Sequence, residues 1–246
     1  MDDALLLAAA VLATSTLSGV FGMGGGMILM GVYAAVLPVR DAMVLHGVTQ
    51  LASNGFRFWL LRRHLYTPAL AWYALGAAIG VGVFLSVSYV PEKTTLYVLL
   101  GGLPLIATVL PSSVGLSIES RPLAASCGTV VTAAQLTAGV SGPLLDVFFV
   151  RGTLDRLQVI GTKALTQTLG HLLKLVYFGW LVGGGTAPAL PAWTYPLVVL
   201  CALGGTRLGK ALLTRLDDDR FRLASRVLVG GIALIYLARG IGGALA

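Results

Sequence analysis

The sequence predicts an all-α, polytopic membrane protein of two inverted repeats, each a Gly-broken, re-entrant helical segment followed by three transmembrane helices. Three observations predict it. Of 246 residues, 57% are hydrophobic and 11% are charged, whereas soluble domains carry about 25% charged residues. Apolar stretches of membrane-spanning length fill nearly the whole chain, leaving no room for a soluble domain. Two of these stretches are broken by glycine or proline at corresponding places in the two halves.

The elements follow in order. A transmembrane helix needs about 20 apolar residues. Six stretches meet this without interruption: 42–61, 67–90, 94–111, 156–181, 191–213 and 222–243. The broken segments are 4–37, interrupted at Gly22-Met23-Gly24-Gly25-Gly26, and 122–150, interrupted at Gly139–Pro143. The start Met1-Asp2-Asp3 is acidic, whereas a signal peptide opens with basic residues. Segment 4–37 is therefore expected to be retained. Tyr66-Thr67-Pro68, Val90-Pro91-Glu92 and Pro111-Ser112-Ser113 read as turns, and Gly183-Gly184-Gly185-Thr186-Ala187-Pro188 as an external loop. Trp59, Trp72, Trp180, Trp193 and Tyr195 suit an interfacial belt.

The net charge of +7 does not point to nucleic acid, because the cations sit in short loops where topology accounts for them. With the N-terminus outside and both broken segments returning to their side of entry, Arg62, Arg63, Arg121, Arg151, Arg156, Arg207, Lys210, Arg215, Arg220, Arg222 and Arg226 all face the cytoplasm. Only Arg40, Lys93 and Arg239 face out. If both broken segments crossed fully, this positive-inside bias would collapse. Both termini are then outside the cytoplasm.

The halves share short motifs. Gly19-Val20-Phe21-Gly22 matches Gly139-Val140-Ser141-Gly142, and Gly47-Val48-Thr49-Gln50 matches Ala164-Leu165-Thr166-Gln167. In the second register Asn54 falls on His171 and Arg57 on Lys174. The division is 1–111 for the first repeat, 112–121 for a cytoplasmic linker and 122–246 for the second repeat. Three spans per half is an odd number, so the repeats are inverted, an arrangement common in secondary transporters.

Candidate site residues follow from the same features. Irregular backbone inside a membrane is tolerated only where protein buries it or it lines a watery cavity. Helices restarting after Gly24, Gly25 and Gly26, and again at Gly142, would aim free N–H groups at an anion. The helix after each break carries a polar stripe: His46, Gln50, Ser53 or Asn54, and Arg57 in one; Lys163, Gln167, Gly170 or His171, and Lys174 in the other. The stripes would place Thr49, Gln50, Thr166 and Gln167 at mid-depth, Arg57 and Lys163 nearer the cytoplasm, and His46 and Lys174 nearer the outside. Asp146 is the one carboxylate well inside an apolar segment. It could carry a coupling proton or cation, or pair with Lys163 or Lys174. Histidines in the stripe could handle protons or make interhelical hydrogen bonds. Cys127 and Cys201 read as packing residues, and their spacing fits no metal site.

Ser18-Gly19-Val20-Phe21-Gly22-Met23-Gly24-Gly25-Gly26 followed by His46-Gly47-Val48-Thr49-Gln50 resembles the first half of the TauE/SafE (TSUP) family of sulfite and organosulfonate transporters. Ala138-Gly139-Val140-Ser141-Gly142, Gly161-Thr162-Lys163-Ala164 and His171-Leu172-Leu173-Lys174 resemble its second half. The resemblance covers almost the whole chain. It implies movement of a small sulfur-containing anion such as sulfite, sulfoacetate or another sulfonate across a bacterial cytoplasmic (inner) membrane. His46 stands where a first-half lysine would mirror Lys163, which would make that side pH-dependent if the site needs paired cations.

The resulting expectation is a secondary transporter that binds its anion between the repeats, with His46 and Asp146 as coupling or gating residues. The alternative is an anion-selective channel. No nucleophile–base set points to an enzyme, and no cofactor, metal or nucleic-acid partner is expected. The partners are the anion and the lipid bilayer, and homodimer assembly is left open.

Overall fold

A computed structural model describes residues 2–21, 24–110, 116–149, 152–182, 190–213 and 218–245. These residues form ten α-helices and no strand. They are α1 (Asp2–Phe21), α2 (Gly25–Val36), α3 (Val39–Leu61), α4 (Leu70–Val87), α5 (Lys93–Val109), α6 (Arg121–Thr137), α7 (Gly142–Val147), α8 (Arg156–Val176), α9 (Thr194–Leu213) and α10 (Asp218–Leu245). Each broken segment is thus a long helix followed by a shorter one, α1 with α2 and α6 with α7. Gly22, Met23, Pro111, Ser112, Ser113, Arg151, the 183–188 loop and Arg215 lie outside the described residues, as do the side chains of Lys210, Arg220, Arg222 and Arg226.

Local chemistry explains the boundaries. Gly24 precedes α2 with φ +87, a conformation that glycine adopts without strain. Gly139, with φ +74, directly follows the Ala138 C-cap of α6, and Ser141 is the N-cap of α7. A 3₁₀ turn, Thr67–Ala69, with Pro68 inside it, leads into α4. A π-turn, Tyr177–Leu181, extends α8. Asp155 caps α8 by accepting from Leu157 N at 2.8 Å and Gln158 N at 2.9 Å, and the Gln158 side chain bonds back to Asp155 N at 3.1 Å. Asp155→Ala should therefore cost about 1 kcal/mol, read as a lower melting temperature that Asp155→Ser largely restores.

Large apolar side chains lie on the outside as well as in the core. Many Leu, Val, Ile and Trp side chains are exposed, Trp180 at 81% and Val109 at 76%, whereas His46, Gln50, Asn54, Gln135, His171 and Lys174 are buried. Lipid is the solvent that suits such a surface. Thr67–Val87 and Val227–Leu245 are each long and apolar enough to cross a membrane. Helices α3 and α8 reach 23 and 21 residues, and their polar stripes lower their hydropathy.

The packing places the site. Helix α1 lies along α9 and α6 along α4, while α3 packs on α8 and α5 on α10. The α4–α6 crossing is close because Gly76 faces the Ala125 carbonyl and Gly128 faces the Tyr73 carbonyl. Two tyrosines hold α2 by its backbone. Tyr97 Oη donates to Gly31 O at 3.1 Å, and Tyr236 Oη bonds Met27 O and Ile28 O at 3.2 and 3.1 Å.

Candidate functional site

The two breaks and the two stripes meet at one cavity. Its wall is built from Ser18 at the end of α1, Gly24, Gly26 and Met27 at the start of α2, and Gln135 on α6. Val140, Ser141, Gly142 and Pro143 at the second break complete that side. Helix α3 adds His46, Gln50, Ser53, Asn54 and Arg57, and α8 adds Gln167 and His171. The cavity measures about 50 Å³, room for about three to five waters at roughly 10–15 Å³ each.

Its polar groups are mostly fixed by one another. The Gln135 amide donates to Gly139 O at 3.2 Å, meets His171 Nδ1 at 2.8 Å and accepts from Ser141 Oγ at 2.8 Å. With Nδ1 accepting, His171 carries its ring proton on Nε2 and can donate it. Asn54 Nδ2 donates to Gln50 O at 3.1 Å and to Gln50 Oε1 at 3.3 Å, which leaves the Gln50 amide nitrogen free to donate elsewhere. A methyl group at Gly26 would sit 3.4 Å from that nitrogen, and one at Gly142 would sit 3.4 Å from Gln167 Nε2. Each break thus begins a helix beside the amide of its own stripe. Helix α2 has no side-chain cap on its first N–H groups, and such groups are anion acceptor sites.

Arg57 differs from its neighbours. It is half-buried on the cavity wall and makes no hydrogen bond or ion pair to any described residue. A guanidinium has five donors in a planar fork suited to oxyanions.

The remaining predicted residues lie elsewhere. Gly25 packs against α1, where a methyl group would overlap the Thr14 carbonyl. Thr49 Oγ1 donates to Leu45 O at 2.8 Å and meets Tyr33 Oη at 3.2 Å. Thr166 Oγ1 donates to Lys163 O at 3.0 Å. Lys163 pairs with Asp146, and neither lines the cavity. Lys174 is not at a mouth of the cavity but wholly enclosed behind it, bonded to His46 Nδ1 and Gly139 O. Cations at both mouths, as the stripes suggested, are therefore not what the fold assembles. Among the described residues no group of His, Cys, Asp and Glu could hold a metal ion. Sequence reasoning passed over Ser18, Gln135 and Ser141. A lone glutamine one turn before a glycine break was the available signal.

The Lys163–Asp146 pair is about one-quarter and one-fifth exposed, so solvent screens it in part. Removing either partner strands the other. Asp146→Asn, Lys163→Gln and the double variant should show a coupling energy of about 1 kcal/mol in thermal unfolding. Strict additivity would show that the pair contributes nothing as a pair.

Of the comparisons with known proteins, one finds a match. Residues 6–236 match the family model described as Sulfite exporter TauE/SafE. No curated protein and no solved structure matches the chain. The family match spans all ten helices but for the ends of the first and last, and the protein belongs to the TauE/SafE sulfite exporter family of membrane transporters.

Proposed function

We propose that the cavity between the two breaks is the anion site of a secondary transporter for a small sulfur-containing anion such as sulfite or a short sulfonate. The observation that carries this reading is Arg57, a guanidinium with no partner among the described residues, on the wall of a small polar cavity. Around it stand neutral donors: the amides of Gln50 and Gln167, His171 Nε2 and the first N–H groups of α2. The small volume favours an oxyanion of four or five heavy atoms, and a longer sulfonate would have to leave its tail outside.

The packing supports a duplicated plan of residues 1–111 and 122–246 joined by a cytoplasmic linker. Exchanging α1–α5 with α6–α10 turns the α1–α9 pair into α6–α4 and leaves α3–α8 and α5–α10 unchanged. Positive-inside bias supports the inverted arrangement in a bacterial inner membrane, with both termini outside. A cavity of only about 50 Å³ between the two breaks supports a carrier over a channel. Purified protein in liposomes should show saturable, counterflow-competent sulfite flux. Ohmic anion currents at high unitary rates would sink the carrier reading.

A further inference from the structure

The anion cavity has one cation behind its wall. Lys174 is 0% exposed. Its Nζ lies 2.8 Å from His46 Nδ1 and donates to Gly139 O at 2.9 Å. His46, also 0% exposed, places Nε2 2.9 Å from Gly26 O. A continuous run of hydrogen bonds thus joins the carbonyl at the second break to a carbonyl in the first turn of α2. With Lys174 donating to Nδ1, the ring proton sits on Nε2 and is donated to Gly26.

Every acceptor of this ammonium is neutral. On α8, His171 faces the His46 ring with centroids 5.5 Å apart, and on α2 Tyr33 faces it at 6.4 Å. The Tyr73 hydroxyl of α4 is turned to Thr166 O. On α3, Arg57 is a second cation, on α9 Arg207 lies over Phe56, and Cys127 and Cys201 are thiols without a disulfide. The carboxylate of Asp146 on α7 is taken by Lys163. A buried ammonium with neutral partners alone is unfavourable, and a nearby anion relieves that. His46 is itself part of the cavity wall, so a bound anion would be separated from Lys174 by one imidazole.

The bonding pattern survives loss of the proton. An ammonium has three N–H groups and a neutral amine two, one for each of the two acceptors seen. The third proton can therefore leave without breaking the run between the two breaks.

We propose that the Lys174–His46 pair is the proton-coupling element of transport: one proton from bulk water is taken up on Lys174 Nζ for each anion bound in the cavity. This rests on the cavity being the anion site. Linkage is reciprocal, so the anion holds the proton and the proton holds the anion, and both cross together in the same direction.

The test is calorimetric titration of the purified, full-length protein with methanesulfonate, a probe that stays ionised near neutral pH, in two buffers of different ionisation enthalpy. The expected result is uptake of about one proton per anion, with affinity falling up to about tenfold per pH unit where the pair releases its proton. Lys174→Arg, charged throughout, should bind the probe with no proton uptake. Binding to the parent without proton uptake overturns the proposal and leaves the anion site standing. Uptake in Lys174→Arg equal to that of the parent also overturns it. Failure of the parent to bind either methanesulfonate or sulfite overturns the anion site and this proposal together. Should the variant not fold, the two-buffer result on the parent decides the matter by itself.

Discussion

Arg57→Ala should weaken anion binding by roughly tenfold to a hundredfold, the about 1.5–3 kcal/mol of a hydrogen bond to a charged group. The expected magnitude comes from its isolation. No described side chain or carbonyl holds the guanidinium, so removing it takes away contacts to the ligand and leaves no protein group stranded. The ligand-free melting temperature should accordingly stay level or rise, because a half-buried cation with no partner among the described residues adds no pairing energy. Arg57→Lys keeps the charge and loses the fork, so its affinity should fall between the two. Sulfite titration of the purified variants, monitored by ligand-induced thermal shift, separates these effects. Parental affinity in Arg57→Ala would remove Arg57 from the site.

The second large effect is a contrast between adjacent glycines. At Gly25 an added methyl would overlap the Thr14 carbonyl and the Ser18 side chain, and would come within 2.9 Å of Ser18 N. Most of that obstacle is backbone of α1 and cannot step aside. Gly25→Ala should therefore cost about 1–3 kcal/mol or more, as overpacking does, and appear as a lower melting temperature or poor recovery from the membrane. At Gly26 the methyl would meet only the end of the Gln50 side chain, at 3.4 Å. Gly26→Ala should fold nearly as the parent does and bind anion less well, because it displaces one of the amides on the wall. Equal stability losses in the two variants would contradict this account of α2.

The fold was largely legible because lipid simplifies the code. Span length and glycine breaks set the helices, and the predicted stretches 42–61, 67–90 and 94–111 correspond to α3, α4 with its 3₁₀ entry, and α5. The breaks each separate into two helices because Gly24 and Gly139 adopt positive φ. Gln50, Asn54 and Arg57, which share one stripe, line the same cavity. Period could not say which neighbours a side chain would meet. Lys163 and Lys174 share a stripe, yet Lys163 reaches Asp146 on α7 while Lys174 turns inward to His46. Thr49 and Thr166 satisfy their hydroxyls within the membrane by bonding carbonyls of their own helices, and so turn from the cavity. Gln135 was missed because it stands on the helix before the break, outside both stripes, and only the folded chain brings it to His171.

The two half-helices beside the cavity are unequal: α2 has 12 residues and α7 has six. At about 1.5 Å per residue these are walls of about 18 and 9 Å. The half-helix at the first break is thus twice as long as the one at the second. Detailed balance forbids such an inequality from choosing a net direction, since the gradients alone do that. What it can set is kinetic asymmetry: half-saturation concentrations that differ between the two faces, with maximal rates differing by the compensating factor. Zero-trans flux measured from each face of the same oriented vesicles would record that ratio as a property of chain geometry.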